Sequence, residues 1–258
     1  MSQFRLLPRV YQVGGPHLTD VKDCSYYLIA DDPNVLIDCG SPDGIPALQG
    51  NLAAIGVDLS EIGIVIGTHG HYDHVGGAAS LKQLTDFTFC LHGDDRRAVE
   101  EADGVLTASD MMYHLPFPAV RVDKELDDGE VIELAHCQLT IVHTPGHTRG
   151  SVCVLATWDD YTLLFAGDTL WGGFHPAFYA GTDTWGASLD KLLTKDFDAL
   201  VWGHGGSVVF GDARQRVVEA RDALGVYFVP WRIPVTSVGL RYGGDGLNPG
   251  RQESGGVP

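Results

Sequence analysis

The sequence is short of positive charge. Its 17 lysines and arginines are outnumbered by 34 aspartates and glutamates, for a formal net charge of −17. Phosphate backbones and anionic bilayer surfaces are held by clustered lysine and arginine, so neither a nucleic acid nor a membrane surface is an expected partner. Long apolar runs are missing as well: the chain has no stretch of the roughly 18 apolar residues a spanning helix needs. The first ten residues lack the apolar centre of a secretory signal. Cysteine is sparse, and Cys24, Cys39, Cys90, Cys137 and Cys153 are too far apart to form a thiolate clamp for a metal. Reduced, buried thiols and a cytoplasmic location are therefore expected.

The rest of the composition is that of a globular chain. With 258 residues and 44% hydrophobic content it can bury a substantial core. One domain is expected over residues 1–210, with residues 211–258 supplying a C-terminal helix and a Gly/Pro-rich tail packed on it or extending from it. Short apolar runs bounded by Gly, Pro, Asp and Asn predict strands at residues 10–13, 24–30, 35–37, 62–66, 88–91, 131–134, 139–142, 152–156, 163–166 and 199–202. Helical spacing predicts helices at residues 42–56, 75–84, 94–102, 186–193 and 212–224. The class is α/β.

The densest chemistry lies in Thr68-His69-Gly70-His71-Tyr72-Asp73-His74, directly after the apolar run 62–66. Imidazole and carboxylate at this density are zinc-type ligands, and three unrelated loop histidines would be the alternative. Other polar residues close strands in the same way. Asp38 follows Val35-Leu36-Ile37, either facing a site or capping a turn, and Asp168 and His204 each follow an apolar strand. His147 follows Pro145-Gly146, a tight turn able to aim an imidazole. Asp38 and His69 are 31 residues apart, Asp168 and His204 are 36 apart, and each pair encloses a predicted helix. This echo suggests two related β/α halves with their polar strand ends at a shared seam. His17 and His92 read as loop residues, His114 and His136 as exposed, and His143 as buried behind the site. Arg149 is expected to pair with one of the many carboxylates.

Taken together, His69-x-His71-x-Asp73-His74, His147, Asp168 and His204 resemble the ligand pattern of the metallo-β-lactamase fold superfamily, from about residue 10 to residue 206. The resemblance implies an αββα sandwich with the site at one edge of its two sheets. It implies His69, His71 and His147 on one metal, Asp73, His74 and His204 on a second, and Asp168 bridging them. Asp38 matches the aspartate that supports the metal loop from behind. Two Zn²⁺ per chain are the implied cofactor, with Fe or Mn compatible with the same donors. The implied chemistry is hydrolysis by a water whose pKa the paired ions lower, with Asp73 orienting it as a catalytic residue. The superfamily's di-iron flavoproteins carry glutamate where His71 stands, which sets them aside.

Within the superfamily, Thr144-Pro145-Gly146-His147-Thr148, Ala166-Gly167-Asp168-Thr169-Leu170 and Phe178-Tyr179-Ala180-Gly181-Thr182 look like glyoxalase II, a thioesterase. By that likeness Tyr179 is a candidate substrate contact, and Trp171, His175 and Met112 are candidate pocket residues. Ala177 stands where that family has lysine, and the residues after His204 do not resemble its basic helical domain. The expectation is therefore a dinuclear-zinc hydrolase of a small-molecule ester, thioester or lactone, in which a homo-oligomer is allowed. The alternatives are β-lactamase-like amide hydrolysis, a mononuclear-iron persulfide dioxygenase, and a non-catalytic metal-binding module. Residues 35–77 resemble the third β-lactamase subclass, although dedicated β-lactamases have cysteine or serine near the position of Asp168. A decayed binding module would have lost ligands, and none is missing.

Overall fold

Tyr26-Tyr27-Leu28-Ile29 shows how the chain builds its layers. All four residues are buried, which a strand achieves only when both faces of its sheet are covered. Tyr26 and Leu28 join one core, and Tyr27 and Ile29 join another on the opposite face. The computed structural model describes residues 5–170, 175–204 and 210–224.

The first sheet has seven strands in sequence order: β1 Arg5–Leu7, β2 Val10–Gly14, β3 Tyr26–Ile29, β4 Asn34–Ile37, β5 Ile62–Ile66, β6 Thr88–His92 and β7 Lys124–Leu126. The second has five, β8 Val131–Glu133, β9 Gln138–His143, β10 Val152–Trp158, β11 Tyr161–Phe165 and β12 Ala199–Val201, in the order β12-β11-β10-β9-β8. Between the sheets lie Ile29, Val35, Ile37 and Ile66 from one side and Leu139, Ile141, Val154 and Phe165 from the other. Helices α1 Ile45–Ala54, α2 Tyr72–Val75, α3 Ala78–Lys82 and α4 Gly93–Glu100 follow strands of the first sheet. Residues of all four reach the core on its outer face, with Ile45, Leu48, Leu52 and Leu81 prominent. The second sheet is covered by α5 Thr182–Leu192 and α6 Ala213–Ala223, through Trp185, Leu189, Leu192, Val217 and Ala220. This is the expected αββα sandwich.

The predicted pairing of the two halves is visible in the topology. Strands β4 and β5 are parallel with α1 between them in sequence, and β11 and β12 are parallel with α5 between them. Parallel strands point their C-terminal ends the same way, and ligands collect beyond those ends. Asp38, Thr68 and His69 therefore stand past one pair, and Asp168 and His204 past the other.

Some boundaries differ from expectation. The helix expected at 75–84 begins at Tyr72 and is interrupted at Gly76-Gly77, because glycine is a poor helix former. Asp73 and His74 consequently sit on a helical turn rather than a loop. Helix α5 begins four residues before its predicted start, at Thr182. The two edge strands of the first sheet, β1 and β7, are three residues each and begin with a charged residue, leaving almost no apolar alternation to read. Residues 104–118 form an insert with a π-turn at Ser109–Tyr113, flanked by left-handed Ala108 and His114. Helix α6 packs into the outer core of the second sheet, and the expected tail lies outside the described residues. Among the described residues no helix is long and apolar enough to cross a membrane.

Candidate metal centre

The seven side chains singled out in the sequence converge at one end of the sandwich. Strand β5 delivers His69, an extended His71 starts α2, and the first turn of α2 carries Asp73 and His74. The turn after β9 delivers His147, the end of β11 delivers Asp168, and the end of β12 delivers His204. Six of the seven are buried, and His204 is 23% exposed.

They form two sets. His69, His71 and His147 offer ligand atoms within 4.8 Å of one another, and Asp73, His74 and His204 do the same. In the first set His71 Nδ1 and His147 Nε2 are 2.9 Å apart. Two imidazole lone pairs cannot face each other at that distance without a proton or a cation between them. In the second set Asp73 Oδ2 is 3.6 Å from His74 Nε2 and 3.3 Å from His204 Nε2, and those nitrogens are 3.4 Å apart. Asp168 spans both sets. Its Oδ2 lies 3.5 Å from His147 Nε2 and 3.2 Å from His204 Nε2, while its Oδ1 lies 3.4 Å from His74 Nε2.

These spacings test whether the residues suit a metal. A tetrahedral ion with bonds of about 2.0–2.2 Å sets its ligand atoms about 3.3–3.6 Å apart. The second set and its Asp168 contacts fall close to that range. His69 Nε2 and Asp168 Oδ1 are buried without a hydrogen-bond partner, an expensive condition unless another group satisfies them. The donor set is nitrogen and oxygen only, which suits zinc and also iron or manganese. Cys24 lies within 4.8 Å of Asp38 and His74, but burial pushes its thiol well up, leaving it a neutral neighbour.

The two sets differ electrically. Burial, then the neighbouring imidazoles, push His69 well below the ordinary histidine value, and burial followed by His147 does the same to His71. The other side runs the opposite way. Burial opposes charge at His204, yet Asp168 and Asp73 overrule it and raise His204 to about 9. His74 is likewise raised against burial, by the carboxylates of Asp168, Asp73 and Asp38. Burial works to neutralise Asp73, but His74 and His204 hold it at about 2. His204 and His74 keep Asp168 well below the usual carboxylate range despite its burial.

Asp38 braces this side from behind. It accepts from the Thr68 N–H at 2.7 Å and the Thr68 hydroxyl at 2.8 Å, and its Oδ2 is 2.8 Å from His74 Nδ1. That contact leaves His74 Nε2 facing the centre. Asp38 has a left-handed backbone (φ 63°), uncommon for a residue with a side chain. Gly203 completes the fit: a Cβ there would come within 2.4 Å of Asp168 Oδ1 and 2.7 Å of His74 Cε1.

This arrangement matches a known family. The model of the metallo-beta-lactamase superfamily aligns with residues 19–204. The chain belongs to that superfamily. An uncharacterized protein of Mycobacterium tuberculosis is 31% identical over 211 residues, covering 74% of this chain and 90% of that protein. The acyl-coenzyme A thioesterase MBLAC2 of Gallus gallus is 31% identical over 155 residues, 54% of each chain. Among solved structures, the subclass B3 metallo-β-lactamase BJP-1 of Bradyrhizobium japonicum superposes with a TM-score of 0.66 at 27% identity, over 78% of this chain and 76% of that one.

Aromatic side chains surround the converging residues. Phe178 lies against the three-histidine set: it is buried, with its ring 4.6 Å from that of His71 and 6.2 Å from that of His147. Tyr179 is half-buried, and its N–H bonds the His175 carbonyl. His175 lies one ring further out, 5.5 Å from Phe178, with Nδ1 accepting from the Ala177 N–H. Met112, a candidate pocket residue in the sequence, is 67% exposed. Its neighbour Tyr113 turns inward, 5.1 Å from the ring of Tyr72, and burial and then Asp73 push its hydroxyl up. Trp185 backs the His147 turn, with rings 6.1 Å apart and its indole N–H donating to the Thr169 carbonyl. Trp171 lies outside the described residues.

Other expectations also shift. His143 is half-buried and stacks on His92 at 3.7 Å instead of lying behind the ligands. Arg149 donates to the Ala177 carbonyl at 2.9 Å, next to Phe178, where a carboxylate pairing was expected. His136 is exposed, 2.8 Å from Asp31. Phe178 lies within a segment singled out in the sequence and Tyr113 is next to the candidate Met112, but which neighbour faces inward is set by backbone direction, which composition does not encode.

Proposed function

We propose that the chain is a dinuclear-zinc hydrolase of a small ester or lactone, with a thioester the foremost substrate class. The observation that carries this reading is Asp168, one buried carboxylate within 3.5 Å of a ligand nitrogen in each set. A carboxylate shared in this way suits two cations better than one. His69, His71 and His147 would hold the first ion and Asp73, His74 and His204 the second. When bound, such a pair supplies hydroxide near neutral pH and polarises a carbonyl oxygen.

The protein's own groups support hydrolysis around that pair. His69 and His71 are neutral at physiological pH, so their lone pairs are ready to bind. Asp73, held at about 2, stays ionised and can orient a water by accepting its proton in a hydrogen bond. Phe178 lays an apolar ring against His71 and His147, and low-dielectric surroundings strengthen charge interactions. Tyr113 keeps its phenol proton and packs on Tyr72 of the metal loop, which makes it a candidate donor to a substrate oxygen. Thioesters are favoured by the likeness to the chicken acyl-coenzyme A thioesterase, which extends over 54% of this chain. The likeness to a solved β-lactamase at 27% identity makes β-lactams the comparison substrate.

The test is metal analysis of the purified chain, followed by assays on thioesters, lactones, β-lactams and a persulfide. Two zinc ions per chain and fastest turnover of a thioester are expected. One iron per chain with oxygen uptake on persulfide would contradict the proposal.

A further inference from the structure

Asp38 braces the side of the centre that holds His74. A second buried carboxylate, Asp95, stands behind the opposite side. It is 7% exposed and lies in the first turn of α4, where a negative charge suits the helix dipole. Its Oδ2 accepts from the Gly70 N–H at 2.9 Å and from the Thr148 hydroxyl at 2.7 Å. Its Oδ1 accepts from the Gly150 N–H at 2.9 Å. A buried carboxylate is costly unless such donors satisfy it, and these three come from the two loops that carry ligands. Gly70 sits between His69 and His71, and Thr148 directly follows His147. The second loop is shaped around this carboxylate: a Cβ at Gly150 would come within 2.6 Å of Asp95 Cγ.

We propose that Asp95 is the positioning residue of the three-histidine set. It holds the loop bearing His69 and His71 at a fixed separation from the loop bearing His147, and so sets the 2.9 Å approach of His71 Nδ1 to His147 Nε2. The inference rests on the metal reading above and adds selectivity to it. All three ligands of this set lie one residue from a partner of Asp95, and no ligand of the other set does. Asp38 and Asp95 thus divide the support of the centre between them.

Asp95→Asn keeps the shape but turns one acceptor oxygen into an NH₂ that must face an N–H or O–H donor. Thr148→Val removes only the hydroxyl, with its contacts to Asp95 and to Ser151 Oγ. Each change is made in a His204→Ala background, which leaves the three-histidine set complete, and in a His147→Ala background, which leaves the other set complete. Zinc is titrated against a chromophoric chelator, and the metal-free chains are melted. Asp95→Asn is expected to weaken zinc by about tenfold or more in the first background, as loss of groups behind ligands does. In the second background the change is expected to stay below about threefold, as for independent sites. Thr148→Val should move in the same direction with smaller size, and it decides the matter if the asparagine variant does not fold. Equal weakening in both backgrounds, tracking a lower melting temperature, would reveal a merely structural role and overturn the proposal, as would no weakening in either. An unaltered chain that binds no zinc would overturn the metal reading itself, a separate result from two zinc ions indifferent to Asp95.

Discussion

Three imidazoles face one another on one side of the centre; on the other, two imidazoles meet two carboxylates. The first group is buried among like neighbours, so His69 and His71 are pushed down and neutral. In the second, Asp73 and Asp168 stay charged and hold protons on their histidines, with His204 raised to about 9. The same residue type therefore waits for a cation in opposite states. One set is ready to bind, whereas the other must give up protons first, and Asp168 links them.

The largest effect should come from removing that link. Asp168→Asn keeps the side-chain volume but loses the charge. Removing a group that merely supports a ligand costs about 10–100-fold in affinity or activity, so a shared ligand should cost more than about 100-fold. Zinc stoichiometry and kcat/KM on the best thioester would measure this, and the second ion should be lost before the first. Asp38→Asn comes next. It leaves either Thr68 or His74 without its acceptor, and should weaken the carboxylate-rich set by about 10–100-fold while sparing the three-histidine set.

The pH dependence sharpens the contrast. A histidine with a pKa of about 9 carries a proton at neutral pH that zinc must displace. Affinity at the carboxylate-rich set should therefore rise about tenfold or more per unit as pH rises toward 9, where the His204 contribution levels off. The other set lacks this dependence through His69 and His71, which are already neutral above the ordinary histidine range. Chelator competition at several pH values separates the two curves, and parallel curves would break the comparison. The smallest effect belongs to the wall. Phe178→Leu should leave two zinc ions bound and lower stability by about 1 kcal/mol, with a few-fold loss in kcat/KM.

The seven converging side chains were legible because each is of a metal-binding type placed just past an apolar run, a signal confined to a few neighbouring positions. The pairing of β4 with β5 and of β11 with β12 was legible for a related reason: the same strand, helix, strand order occurs twice. What could not be read depends on partners distant in sequence. Asp95 lies 25 residues from Gly70 and 55 from Gly150, and in the sequence it is one acidic residue among 34. Phe178 and Tyr179 are adjacent and both aromatic, so only the backbone turn after His175 decides which one meets His71. Met112 and Tyr113 were separated in the same way by the π-turn. Strands β1 and β7 were missed because three charged or mixed residues gain their pairing from the sheet edge they meet.

The central claim is that one carboxylate stands between two ions. Anomalous scattering from crystals of the zinc-loaded chain, collected above and below the zinc edge, tests it most directly. Two zinc peaks about 3.5–4 Å apart, with Asp168 in contact with both, are the predicted result. A single peak among His69, His71 and His147, with Asp168 bound to no metal, would contradict it.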